Sequence, residues 1–119
     1  MSSDFKRSYL FLFVLFLVLG CTRNYDQPPA QISFLTSLER DDAQRQKVLS
    51  EIIEDSDDRL RAWGNLLRAS DLIRSSEFLE SLPYIEEAEF LFRALETDTQ
   101  GLARALHYKA QVYWSLGAI

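Results

Sequence analysis

A single cysteine and a single histidine stand among the 119 residues. One cysteine makes no intramolecular disulfide, so a disulfide framework is excluded. Zinc takes clustered Cys and His ligands, and no such cluster exists in the sequence. A nucleophile–histidine site would have to be built on His107 alone, a lone histidine on an amphipathic segment. The four glycines are scattered and form no phosphate loop. Basic residues number 13 against 18 acidic ones. That is the reverse of a nucleic-acid surface, where Lys and Arg displace counterions from phosphates. Valine is also scarce: beyond residue 20 there are only Val48 and Val112, beside 14 leucines and 10 alanines. With strand formers few and no segment alternating over a strand length, the chain is predicted to be all-α.

What is there begins with an apolar block. Lys6 and Arg7 precede the run Tyr9–Leu19, closed by Gly20 and Cys21. A positive start, a short apolar core and a small residue before the cut describe a secretory signal. The uncharged stretch 8–22 spans roughly 22 Å as a helix, short of a hydrocarbon core of about 30 Å. Val18-Leu19-Gly20-Cys21 resembles the lipobox of bacterial lipoproteins. That resemblance implies a signal peptide over 1–20, cleavage before Cys21, and covalent diacylglycerol and acyl lipid on Cys21. It implies no other cofactor. It also implies a protein of the cell envelope, anchored to the membrane through its lipid. Thr22 after the cysteine is similar to the Gram-negative pattern that sorts to the periplasmic face of the outer membrane rather than to the inner membrane. Two acyl chains anchor a domain stably without a spanning helix. Beyond Gly20 the chain carries 11 basic and 17 acidic residues.

Residues 21–35, polar and containing Pro28-Pro29, read as a tether. A helical stripe with Leu38, Leu49 and Ile52 is expected over about 36–54, interrupted by Asp41, Asp42 and Arg45. Asp55-Ser56-Asp57-Asp58 supplies a cap and first-turn acids for the next helix, where the dipole favours negative charge. Leu60, Trp63 and Leu67 share a face of that helix. Ser70-Asp71 reads as a further cap, and Pro83 as the first turn of another helix. A last helix is expected from about Leu102, with Leu106, Ala110, Tyr113 and Leu116 on its stripe. Short turns predict antiparallel hairpins.

Setting residues 69–85 against 103–119, an offset of 34, pairs Ala69/Ala103, Leu72/Leu106, Ser81/Ser115, Leu82/Leu116 and Ile85/Ile119 as identities. A 34-residue helix–turn–helix period resembles the tetratricopeptide (TPR) repeat. Ala110-x-x-Tyr113-x-x-x-Gly117 matches that pattern, and Ser76-x-x-Leu79-x-x-x-Pro83 is a looser copy. Ala88, Phe92 and Leu95 follow on the second helix. The resemblance implies a short TPR-like α-solenoid of stacked hairpins packed through Leu72, Ser76, Leu79, Ala88, Phe92, Leu95, Leu106, Ala110 and Tyr113. On this register 36–68 is a degenerate hairpin, 69–102 one repeat, and 103–119 the first helix of an incomplete second repeat, so the solenoid is expected to run on past Ile119 or be covered by another molecule. A HEAT-like unit, read from Glu54-Asp-Ser-Asp-Asp-Arg-Leu-Arg-Ala62, and an unrelated helical bundle remain as rivals.

No catalytic or metal-binding residue emerges. Asp55-x-Asp57 opens like a calcium loop, but Arg59, Leu60 and Leu66 occupy positions that need a ligand, a glycine and a glutamate. Glu86, Glu87 and Glu89 read as a solvated face. The expected function is therefore a lipid-anchored, non-enzymatic scaffold that holds another envelope protein, similar to the pilotins and outer-membrane assembly factors. On that resemblance Ser75, Glu80, Lys109 and Trp114 line the binding groove. The alternative is the N-terminal helical part of a longer envelope enzyme or its accessory subunit.

Overall fold

The computed structural model describes residues 27–96 and 98–117. The expectations for the signal segment, for the lipid on Cys21 and for Ile119 lie outside the described residues. Within them the chain forms five helices and no strand: α1 (Ala30–Thr36), α2 (Ala43–Ile53), α3 (Asp58–Arg74), α4 (Phe78–Leu95) and α5 (Thr99–Ser115).

The polar starts of three helices are fixed by aspartates. Asp42 accepts from the Arg45 backbone N–H at 3.0 Å, Asp57 from Leu60 at 2.9 Å, and Asp98 from Gly101 at 3.1 Å. Each satisfies a backbone donor that the first helical turn leaves without a partner. Asp57 and Asp58 take the cap and first-turn places read from the sequence.

α3 is the central element: it packs on α4 most extensively and also touches α1, α2 and α5. α4 in turn packs on α5. The larger core cluster joins Ile32 and Leu35 of α1, Leu49 and Ile52 of α2, Trp63 and Leu66 of α3, and Leu91 and Phe92 of α4. The Trp63 and Phe92 rings meet edge to face with centroids 5.4 Å apart, a favoured aromatic geometry. A smaller cluster at the other end joins Ala69, Ile85 and Val112. Two glycines permit close helix approach. A Cβ on Gly64 would run into the Ile52 side chain, and one on Gly101 into the Phe92 ring.

Several local expectations are corrected. The segment assigned to the tether, 21–35, includes most of α1, which buries Ile32 and Leu35. Pro29 starts that helix instead of ending a linker, because apolar residues at a spacing of three follow it and find a partner surface. The single stripe over 36–54 breaks at Ser37–Asp42, and α2 begins afresh behind the Asp42 cap.

Ser70-Asp71 caps nothing: α3 runs through it to Arg74. The helix ends at Ser75–Glu77, where Ser76 takes φ of 60°. The Ser76 N–H donates to the Ile73 carbonyl at 3.0 Å and the Glu77 N–H to the Leu72 carbonyl at 2.8 Å. This pair of bonds is the Schellman closure, which needs one left-handed residue and usually takes glycine. Ser76 is thus a turn residue and not a small packing residue on a helix. α4 then starts at Phe78, so Pro83 sits inside a helix and not in its first turn.

These positions yield a prediction of unusual sign. Ser76→Gly is expected to raise stability by about 0.5–1 kcal/mol, since glycine escapes the left-handed penalty that serine bears. A urea midpoint measures it. A helical packing role for Ser76 would instead show as a loss.

Candidate functional site: an arginine-rimmed groove and an uncovered helix face

Where α1, α3 and α5 come together they leave a groove of about 330 Å³. Ile32 of α1 and Trp63 and Leu66 of α3 lie buried at its base, and the half-buried Leu67 of α3 and Tyr108 of α5 supply apolar surface. Ser33, Thr36 and Ser70 add hydroxyls. Every charged residue lining it is an arginine: Arg40, Arg45, Arg74 and Arg104. The chain as a whole carries a net charge of −5, so this groove reverses the balance locally.

The four arginines differ in what they already hold. Arg45 is buried; its guanidinium donates to both Asp71 carboxylate oxygens at 2.6 and 3.0 Å, and its Nε to the Leu35 carbonyl at 3.0 Å. That charge is neutralised in place. Among the described residues the Arg40 side chain donates over long distances, 3.5 Å each, to the Asp71 carbonyl and the Ser75 hydroxyl. Arg104 lies over the Trp63 ring, its Cζ 5.7 Å from the centroid. This cation–π contact orients it without cancelling its charge. Arg74 is exposed at the end of α3. Among the described residues neither Arg74 nor Arg104 has a carboxylate in ion-pair range.

Trp63 is held from behind. Its indole N–H donates to Asp98 Oδ2 at 2.8 Å, and Arg59 Nε donates to the same oxygen at 3.1 Å. Arg59 also donates to the Gln27 carbonyl. Asp98 is buried, and besides these it caps α5. One carboxylate therefore sets the Trp63 ring, the start of α5 and, through Arg59, the approach of the chain to α1.

The second feature is on α5, which has two apolar faces. Gly101, Ala105, Tyr108 and Val112 recur at spacings of three and four and turn inward; Tyr108 is half-buried and the others buried. Leu106, Ala110, Tyr113 and Trp114 fall more than a quarter-turn away at about 100° per residue. They are left largely open to solvent: Leu106 is 40% and Trp114 73% exposed, Ala110 is exposed and Tyr113 half-buried. On α4, Leu79 and Phe90 are exposed while Ala88 and Phe92 are buried and Leu95 half-buried.

The residues named from the repeat thus divide. Ala88 and Phe92 are in the core and Leu72 and Leu95 at its edge, all half or more covered. Ser76, Leu79, Leu106 and Ala110 face outward, which corrects the expected packing stripe. The physical reason is that α5 offers two apolar stripes. The one with the smaller side chains, Gly101 and Ala105, allows the closer approach to its neighbours.

The four residues named for partner binding do not converge into one groove. Ser75 caps the end of α3 and Glu80 is exposed in the first turn of α4. Lys109 is half-buried in a 3.3 Å ion pair with Glu89, while Trp114 stands free in solvent. Glu89 also pairs with Arg93, so the acids of this turn are not all solvated. His107 is exposed beside Tyr108.

Sequence reasoning missed the arginines because residues 40, 45, 74 and 104 share no motif; only the packing of three helices assembles them. Among the described residues no group of three His, Cys, Asp or Glu side chains is placed to hold a metal ion, and no helix is long and apolar enough to cross a membrane. Comparison of the chain with protein-family profiles, with curated proteins and with solved structures finds no match in any of the three.

Proposed function

We propose that this chain is a lipid-anchored cell-envelope scaffold that binds another protein through its helical surface and carries no chemistry of its own. The observation behind the binding role is the second apolar face of α5, with Leu106, Ala110 and Trp114 exposed and Tyr113 half-buried. A buried tryptophan or tyrosine is a common anchor of protein interfaces, and an exposed apolar patch marks a surface that another molecule covers. The envelope location rests on the lipobox-like Val18–Cys21.

The finer architecture belongs to the same proposal. It is a short TPR-like stack with a degenerate hairpin over 36–68, one repeat over 69–102 and the first helix of another over 103–119, its turn placed at Ser75–Glu77 where α3 and α4 meet. In such a stack each hairpin buries its stripe against its neighbours. The free face of α5 is then the surface that a following hairpin or a partner takes.

Two experiments test this reading in the native host. Metabolic labelling with a fatty-acid analogue is expected to mark the wild-type chain and to be lost in Cys21→Ser; equal labelling of both removes the anchor. A photo-crosslinking side chain at position 114 is expected to trap a discrete partner, while the same group at exposed position 87 traps none. Identical patterns at the two positions overturn the binding face.

A further inference from the structure

We infer that the groove between α1, α3 and α5 binds an acidic, partly apolar peptide segment, its carboxylates held by Arg40, Arg74 and Arg104 and an apolar side chain seated on the half-buried Leu67 and Tyr108. The inference rests on the reading of this chain as a partner-binding protein and assigns that partner a chemistry and a second contact surface.

The case is one of charge and shape together. A groove of about 330 Å³ is the size of a small ligand or of a few side chains, and it lies at the low end of the usual range for ligand pockets. Its apolar surface is continuous with the core, since Trp63 and Leu66 belong to the central cluster. Its charged lining is entirely cationic, and among the described residues three of those cations, Arg40, Arg74 and Arg104, hold no carboxylate. Arginine presents a planar fork that takes a carboxylate through two parallel hydrogen bonds, which a scattered surface lysine does not. The remaining surface is acidic, so an acidic segment is repelled elsewhere and attracted here. That contrast supplies orientation and specificity more than raw affinity.

The preorganisation is visible in the supports. Arg45 is locked by Asp71 and so braces α1 and α2 against α3. Trp63 is fixed by Asp98, and Arg104 is stacked on it. A ligand therefore meets Arg104 already oriented by the buried Trp63 ring beneath it, which lowers the ordering cost of binding.

The test uses the full chain in detergent against a library of octapeptides, acetylated and amidated so that only Asp and Glu side chains supply carboxylates. Retained peptides are expected to carry Asp or Glu next to Leu, Ile or Phe. Their Gln and Asn counterparts should bind about tenfold more weakly by fluorescence anisotropy, as should the wild-type peptides to Arg74→Gln or Arg104→Gln. Arg93→Gln, a cation outside the groove, is the control and should change nothing. Arg74 is exposed, so its variant remains informative even where Arg104→Gln unsettles Trp63. Raising the salt to about 0.5 M should weaken retention, as the exposed arginines are screened.

Selection of neutral or basic peptides, or binding indifferent to both arginine variants, overturns the groove assignment. So does flotation with phosphatidylglycerol vesicles in excess of phosphatidylcholine vesicles that depends on Arg74 and Arg104, with no peptide retained; the cations then serve a lipid headgroup. No retention at all, with crosslinks persisting at position 114, overturns the groove alone. Loss of both removes the scaffold reading as well.

Discussion

Replacing Asp98 with alanine is expected to lower stability by about 3–5 kcal/mol, the range for removing one partner of a buried charged pair. Three donors converge on this buried side chain: the Trp63 indole, Arg59 and the Gly101 backbone N–H. Alanine leaves the indole N–H without a partner in the core and uncaps α5. It also removes the carboxylate facing Arg59, whose side chain is 27% exposed and recovers part of its loss from water. Asparagine keeps the shape and one acceptor, so Asp98→Asn should cost less than half as much. Urea denaturation of the two variants measures this, with Trp63 fluorescence following the indole. Similar small losses in both would show that Asp98 merely caps a helix. A small domain has about 5–15 kcal/mol in total, so the alanine variant should be visibly unfolded when warmed.

Arg45→Ala is expected to cost about 3–4 kcal/mol for a related reason. Arg45 reaches from the first turn of α2 to the Leu35 carbonyl at the end of α1 and to both oxygens of Asp71 on α3. Its side chain is 3% exposed and that of Asp71 13%. Truncation leaves a carboxylate and a carbonyl in an apolar setting with little water. Lysine keeps the charge but loses the fork, so Arg45→Lys should recover only part. The decisive comparison is the double variant Arg45→Met/Asp71→Leu. It removes both charges at similar volume and should be more stable than Arg45→Ala by thermal melting. If the double variant is the worse of the two, the loss comes from packing of the arginine stem and not from an orphaned charge.

Arg45 also shows how far the sequence was legible. In sequence it interrupts an apolar stripe together with Asp41 and Asp42, and so argues for a weak helix. In the fold the same charges divide their tasks: Asp42 caps α2, and Arg45 turns inward because Asp71 arrives from 26 positions away. A buried cation cannot be read from its own helix, since its partner is what makes burial tolerable. By the same logic the local pattern at Ser70-Asp71 reads as a cap, whereas Asp71 lies inside α3 and pairs with Arg45. Aspartate is used both at helix starts and in buried pairs, and the local pattern does not separate the two.

The exposed stripe on α5 is a further case. Leu106, Ala110 and Tyr113 have the spacing of a packing face, and periodicity alone reports that spacing faithfully. Gly101, Ala105, Tyr108 and Val112 have it too, and spacing does not choose between the two stripes. The contact with α3 and α4 selected the second set, since Phe92 lies where any Cβ on Gly101 would be.

Determined by the sequence itself are the properties that act within a turn or two: helix as the regular structure of the described chain, and the cap at Asp57 with Asp58 in the first turn. These follow from propensity and the helix dipole, which need no distant partner. The near-absence of cysteine, histidine and valine set the class in the same way. Only the tertiary structure decided which face of each helix is covered, that α1 is part of the core, and that arginines from α3, α5 and the loop before α2 share one groove. Those are choices between surfaces of similar local merit. They are made by the free energy of burying one pair of faces instead of another, a quantity that belongs to the pair and is written in neither helix alone.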